Sequence, residues 1–429
     1  MLRPFLMIVI GVSALVVAPA SSFAQGQKPP LSELLSQLYE DVSLLEASAF
    51  REEISNFDSL LPELQTAFQQ RLILSRNIIS LASNQLSSFP LGSASGGFTW
   101  DFDPVSATFT RASNSFGPIF AERPLTIGRR RLNVGANYQR VTFDHLEGRN
   151  LRNGEVSGHL GAHLTPEFGI VFADSLELKV DTNTLNAFAT YGLTDRLDIG
   201  VAVPINRVSM SAALTTRIGT TLTGIDDEPL LVTPRSGTAS GIGDVVIRAK
   251  YNILKRNAVG LAESIDVRLP TGDELNLLGL AGPQVKLTFI ASAVAGSLSP
   301  HVNLGYTISG ASSAADDPTT VVLPPPEEIN YAAGADWALS LRSTVSFDTV
   351  GRILRRAGTV TWGSSPQFGP GFPQFRFNPG EDLHLLLGSV GLKVNPFGNM
   401  LVTANVLFPL MKHGLTDNLT WMAGIDYSF

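Results

Sequence analysis

The chain closes on LTDNLTWMAGIDYSF, residues 415–429, and this stretch decides how everything before it is read. Trp421, Ala423, Ile425, Tyr427 and Phe429 alternate with Met422, Gly424, Asp426 and Ser428, so an extended strand here has one apolar face. In lipid such a strand must be paired along both edges, because no water is present to satisfy a free N–H or C=O. An aromatic strand that runs to the last residue therefore fits the closing strand of a barrel, with Phe429 at its periplasmic rim.

Working backwards, the two-residue period recurs. Ile329, Tyr331, Ala333, Ala335, Trp337 and Leu339 alternate with Asn330, Ala332, Gly334, Asp336, Ala338 and Ser340. Val302, Leu304, Tyr306 and Ile308 alternate with His301, Asn303, Gly305 and Thr307, and Val285, Leu287 and Phe289 stand against Gln284, Lys286 and Thr288. A soluble sandwich also alternates, so two further features are needed. Many runs reach 11 to 14 residues, against about 5 or 6 for a soluble strand and about 9 to 11 for a tilted membrane strand. Tight turns at 194–196, 255–257 and 298–300 are interleaved with long polar loops near 210–240, 270–282, 310–328 and 351–381. Short inner turns and long outer loops are the pattern of a bacterial membrane barrel.

Counting back from Phe429 places twelve strands near 418–429, 399–410, 383–395, 341–350, 329–340, 299–309, 283–296, 257–270, 241–254, 197–209, 175–193 and 132–144. A hairpin of 97–103 with 106–112 would make fourteen, or fold inside as part of a plug. The fold class expected is all-β, an antiparallel transmembrane β-barrel of 12 or alternatively 14 strands. Two positions strain this register. Glu263 falls on the lipid face, and Leu176, Leu178 and Val180 are out of step with Leu185, Ala187 and Tyr191, which a bulge would explain.

Ahead of the strands, Leu31, Leu34, Leu35, Leu38, Val42 and Leu45 recur at helical spacing, as do Leu60, Leu61, Leu64 and Phe68. Earlier still, Arg3, the apolar run Phe5–Val17 and the small-residue site Ser22-Phe23-Ala24 read as a signal peptide. The expected organisation is a signal peptide over 1–24, a helical periplasmic or plug-associated segment over 25–88, a glycine-rich plug or first hairpin over 89–131, and the barrel over 132–429. An outer-membrane location in a Gram-negative bacterium follows.

Composition narrows the function. Only 16 % of residues are charged while glycine reaches 39 copies, sparse surface charge for a soluble chain of 429 residues. The absence of cysteine excludes disulfides, thiolate metal sites and a thiol nucleophile. Without Arg3, 30 bases face 38 acids, which argues against nucleic acid as a partner. His159 and His163 have the spacing of zinc ligands on a helix but lack the glutamate of an HExxH site, and no GxSxG elbow or histidine–serine pairing appears. No cofactor, metal or enzyme activity is expected.

If the apolar set faces lipid, the lumen receives Asp198, Asp244, Arg248, Lys250, Asp266, Arg268, Lys286, Asp336, Arg342, Asp348 and Asp426. That near-balance of sign points to an ion-pair network rather than a selective ring of one charge. Glu122 and Arg123 are the candidate plug residues. Arg352, Arg355 and Arg356 begin a long outer loop and are candidate contacts for lipopolysaccharide, beside the surrounding outer-membrane lipid.

The stretches FPLGSASGGFTWDFDP (89–104), SFGPIFAERPLTIGRRRLNVGANYQ (115–139), YGLTDRLDIGVAVP (191–204), SGIGDVVIRAKYNIL (240–254), VRLPTGDELNLLG (267–279) and SPHVNLGYT (299–307) resemble a family of bacterial outer-membrane transporters of the phenol-degradation MetA-pathway type. The resemblance implies passage of small, hydrophobic or aromatic solutes through a plugged barrel. It also implies that the terminal strand, with Tyr427 and Phe429, is the signal read by the barrel-assembly machinery. A reading from another class is a non-transporting scaffold or adhesion barrel whose helices bind a periplasmic partner.

Overall fold

The computed structural model describes residues 29–53, 57–87, 97–103, 108–163, 169–220, 224–225, 231–256, 258–310, 325–365 and 369–429. The expected signal peptide lies outside them. Twelve strands close into one antiparallel ring: β1 (Leu132–Phe143), β2 (Gly169–Gly192), β3 (Leu197–Thr220), β4 (Val245–Arg256), β5 (Val259–Leu269), β6 (Gln284–Ala293), β7 (Leu298–Ser309), β8 (Glu328–Ser340), β9 (Ser343–Leu354), β10 (Leu383–Val394), β11 (Met400–Pro409) and β12 (Thr420–Ser428). Each strand overlaps one of the twelve expected runs, with β2 and β3 extending well beyond theirs. The ring shuts between β12 and β1, with Trp421 opposite Arg140 and Ser428 opposite Asn133. The Phe429 N–H donates to the Leu132 carbonyl at 2.7 Å, so the pairing continues to the last residue.

The alternative of fourteen strands does not hold. Residues 100–103 pair only with 108–111, and the irregular stretch after them leaves β12 to take the free edge of β1. Phe98 and Phe116 pack on Leu401, an inward residue of β11, with Trp100 beside them, so this region lies within the ring.

Side chains sort by face as the two-residue period requires. Ile199, Ile247, Ile265, Phe289, Leu304, Trp337 and Trp421 are exposed on the outside, whereas Asp198, Lys250, Asp266, Asn303, Asp336 and Asp348 are buried inside. This inversion of a soluble protein's pattern is what a hydrocarbon surround selects. Glu263 stays on the outer face between its cross-strand neighbours Tyr251 and Phe289. A register shift does occur beside it, between Asn252 and Leu254, but on β4 and without turning Glu263 inward.

The phase change in β2 has a different cause from the expected bulge. Its pairing with β3 runs unbroken from Ile170 opposite Thr220 to Gly192 opposite Asp198. Leu176, Leu178 and Val180 are buried on the same inward parity as Asn186 and Thr190, while Leu185 is exposed. The apolar set changes sides because the surroundings change. At 24 residues, β2 and β3 far exceed the about 9 to 11 needed to cross a bilayer, so their outer halves project beyond it. There the inner face becomes apolar with Val208, Met210 and Leu214, and the outer face carries exposed Arg207 and Ser211. The loop expected near 210–240 is thus largely strand: Leu231–Ile242 returns along β3, from Leu231 opposite Thr216 to Ile242 opposite Ile205.

What covers that apolar inner face is helical. A 3₁₀ turn at Leu31–Glu33 leads into α1 (Leu34–Glu53), and α2 (Phe57–Ser87) follows. Leu35, Leu38 and Val42 of α1 and Ile78, Ile79 and Leu81 of α2 join Phe143, Leu178, Val208, Met210, Leu383 and Leu415 of the barrel in one buried cluster. Each such side chain contributes about 1.5–3 kcal/mol on burial. These barrel residues lie at the long-loop end, opposite Phe429. α1 and α2 therefore cap this mouth of the barrel.

Candidate functional site

Below the cap, residues 113–128 cross the lumen without regular structure. A buried backbone of this kind must find hydrogen-bond partners outside any ladder, and the barrel wall supplies them as side chains. Phe116 N–H donates to Thr344 Oγ1 at 3.0 Å and Ile119 N–H to Asp348 Oδ2 at 3.3 Å. Glu122 N–H donates to Asn303 Oδ1 at 2.6 Å, and Asn303 Nδ2 returns a bond to the Glu122 carbonyl at 3.0 Å. Ile127 N–H donates to Asp198 Oδ2 at 3.0 Å, Lys393 Nζ to the Pro118 carbonyl at 2.7 Å, and Asn252 Nδ2 to the Pro124 carbonyl at 2.8 Å. These partners come from β3, β4, β7, β9 and β10, so the segment is held around much of the circumference.

Charge completes the socket. Glu122 pairs with Arg248, Lys250 Nζ lies 3.6 Å from it, Arg248 also pairs with Asp266, and Lys286 Nζ reaches Asp266 at 3.2 Å. The register explains the row, since Arg248, Asp266 and Lys286 are direct cross-strand neighbours on β4, β5 and β6. His301 Nε2 lies 2.6 Å from Asp348, and its Nδ1 is 3.8 Å from Asp336. Arg123 behaves otherwise than Glu122. Its guanidinium donates to the carbonyls of Ser115 at 2.9 Å and Gly97 at 2.7 Å, tying the segment to itself.

Of the expected lumen residues, Asp198, Arg248, Lys250, Asp266, Lys286, Asp336 and Asp348 converge on or beside this segment. Asp426 lines a small inner cavity with Lys393 and Ile119. Asp244 lies buried at the outer end, where it accepts the N–H of Leu280 at 2.8 Å and of Gly272 at 3.1 Å and so pins the 270–282 loop. Arg342 is not in the lumen; it is exposed in the β8–β9 turn, where Leu341 and Arg342 bridge the strands. Asn303, Asn252, Thr344 and Lys393 were not singled out. Each is inward by parity, but neutral amides and hydroxyls carry no mark of function until the backbone they bind is in place.

Above the crossing segment lies a cavity of about 190 Å³, with Phe120 and Glu122 in its floor and Arg248, Asp266, Arg268, Lys286, Glu328 and Arg352 in its wall. Arg352, proposed from sequence as an outer lipopolysaccharide contact, is 7 % exposed inside the barrel and bonds Glu328 through two nitrogens at 3.0 and 2.7 Å. It sits two residues before the end of β9 on the inward parity. Arg355 and Arg356 do lie in the outer turn, where Asp382 accepts Arg355 Nη1 at 2.8 Å and the Arg356 N–H at 2.9 Å.

Among the described residues, a buried ion pair locks the cap to the wall. Arg71 of α2 donates to both carboxylate oxygens of Asp174 at 2.7 and 2.8 Å, and Thr216 Oγ1 adds a bond to Asp174 at 3.0 Å. Tyr39 beside them is wholly buried, and its phenol is pushed above the ordinary range by that burial and by the Asp174 charge, with Arg71 opposing. His159 and His163 lie in the strand Val156–His163, whose rise of about 3.3 Å per residue sets their backbones too far apart for one metal ion.

A search among curated proteins finds no match. Among solved structures, the chain is similar to an outer-membrane channel from Pseudomonas putida F1, at 14% identity over 71% of this chain and 97% of that one, with a TM-score of 0.44. It is also similar to the Ralstonia pickettii toluene transporter TbuX, at 12% identity over 81% and 99% with a TM-score of 0.34, and to a Pseudomonas aeruginosa FadL homologue, at 12% identity over 80% and 96% with a TM-score of 0.32. The family described as "Putative MetA-pathway of phenol degradation" matches residues 169–408, more than half of the chain. With its twelve-stranded ring and apolar outer face, the protein is an outer-membrane β-barrel that belongs to this family.

Proposed function

We propose that the barrel passes small hydrophobic or aromatic solutes across the outer membrane, through a lumen kept shut at rest by the 113–128 plug below and the α1–α2 cap above. The observation that carries this reading is the way residues 113–128 are held. Their backbone is fixed by individual side-chain bonds such as Asn303–Glu122 and Asp348–Ile119, not by a strand ladder. Such bonds contribute about 0.5–1.5 kcal/mol each, more when charged, and can be exchanged in steps.

Named solutes of similar structures, such as the toluene of the Ralstonia transporter, fit the apolar end of this range. The test is single-channel recording on Asn303→Ala/Asp348→Ala protein beside the unaltered chain. Longer or more frequent openings in the variant, with unchanged heat-modifiable mobility, support the gated path. Identical silence from both, in a correctly folded barrel, would favour the scaffold.

A further inference from the structure

The geometry points to a built site for a small amphiphilic organic anion, a monocarboxylate with an apolar body, where the charged chamber meets a leucine-lined recess. This rests on the transport reading and names the class of solute that the lumen retains. The two cavities share Val350 and Arg352 in their walls. The second is lined by Leu385, Leu387, Leu407 and Leu415 from the inner side of the wall, with Leu386, Phe408 and Met411 at its outer side.

On the chamber side the lining carries four cations, Arg248, Arg268, Lys286 and Arg352, against Glu122, Asp266 and Glu328. Two of those acids are already committed to the Arg248 row. Glu328 is bound by Arg352, and Arg268 lies within electrostatic reach of both and of Asp244. Arg268 and Arg352 thus line the same chamber as the Glu328 carboxylate, and a planar guanidinium recognises a carboxylate through two parallel bonds, as Arg352 does Glu328. Asp417, also in the lining of the recess, accepts the N–H groups of Thr142 at 3.1 Å and Leu419 at 3.2 Å. At about 190 Å³, the chamber is below the roughly 300–1,000 Å³ of sites for drug-sized ligands. It suits a single aromatic ring or a short chain.

The full chain in detergent, titrated calorimetrically with benzoate, octanoate, benzyl alcohol and benzylamine, tests this directly. Benzoate and octanoate should bind at least tenfold more tightly than the alcohol or the amine. That preference should fall about tenfold or more in Arg268→Gln, and in Arg352→Gln/Glu328→Gln, where the deleted pair leaves no orphan charge. Leu387→Trp should weaken all apolar-bodied probes alike. Equal binding of benzoate and benzyl alcohol overturns the carboxylate assignment while leaving passage of apolar solutes intact. Benzoate binding that survives both arginine variants overturns the location. If no probe binds and none alters channel current, both this site and the transport reading fall.

Discussion

Arg71 on the cap and Asp174 on β2 form a two-bond ion pair at 2.7 and 2.8 Å, closed off from solvent between the helices and the projecting wall. It joins α2 to a strand that begins as the housing of the cap and ends as membrane wall. Breaking one partner of a buried pair costs about 3–5 kcal/mol, because the other charge remains desolvated. Arg71→Ala should therefore loosen the cap while the ring stays closed. Limited proteolysis within 57–87, beside heat-modifiable gel mobility, separates the two: faster cleavage with unchanged mobility is expected.

The plug should respond to its socket in a graded way. Glu122→Gln removes one charge from the row of Arg248, Lys250 and Asp266 and leaves the Asn303 bonds to its backbone in place. Arg123→Gln removes the two bonds that tie the segment to Ser115 and Gly97. The double variant should open more often than either single one in bilayer recordings. Unchanged conductance in all three would mean these residues do not hold the plug shut.

The inversion along β2 yields a paired test. Leu185 is 43 % exposed on the outer face, whereas Leu178 is 2 % exposed against the cap. Leu185→Arg should cost the barrel up to about 2–4 kcal/mol if it lies at the bilayer midplane, less toward either interface. Leu178→Ser should leave folding into vesicles nearly intact and expose the helices to protease. Urea titration of the vesicle-bound protein, followed by mobility on gels, reads the first effect; trypsin reads the second.

Gly128 turns the plug into β1 with φ of 97°, and a Cβ there would lie 2.9 Å from the Trp100 carbonyl oxygen. Gly128→Ala should thus be strained by more than the 0.4–1 kcal/mol, roughly, that the same change gains at permissive sites. Raised basal current without loss of the folded band is the outcome expected.

Much of the wall was legible because lipid enforces a strict period of two over long runs, as from Ile329 to Leu339. The closing strand was legible for the same reason. What could not be read was position along the barrel axis. Arg352 and Arg342 both follow the rule that charges avoid lipid, yet one lies inside and the other in an exposed turn. Leu176, Leu178 and Val180 imitated a register slip because no local rule states that the interior would be filled by helices more than ninety residues earlier. Asn303 and Asn252 gained meaning only once the backbone of 113–128 lay against them.

The central claim is that a solute path runs through this lumen and is shut by the plug. Single-channel recording of the refolded full chain in planar bilayers, with benzoate or toluene added, is the most direct measurement. The account predicts rare openings that become frequent in Asn303→Ala/Asp348→Ala protein and are blocked or modulated by added solute. A folded barrel that never conducts, in either form and with either solute, would contradict it.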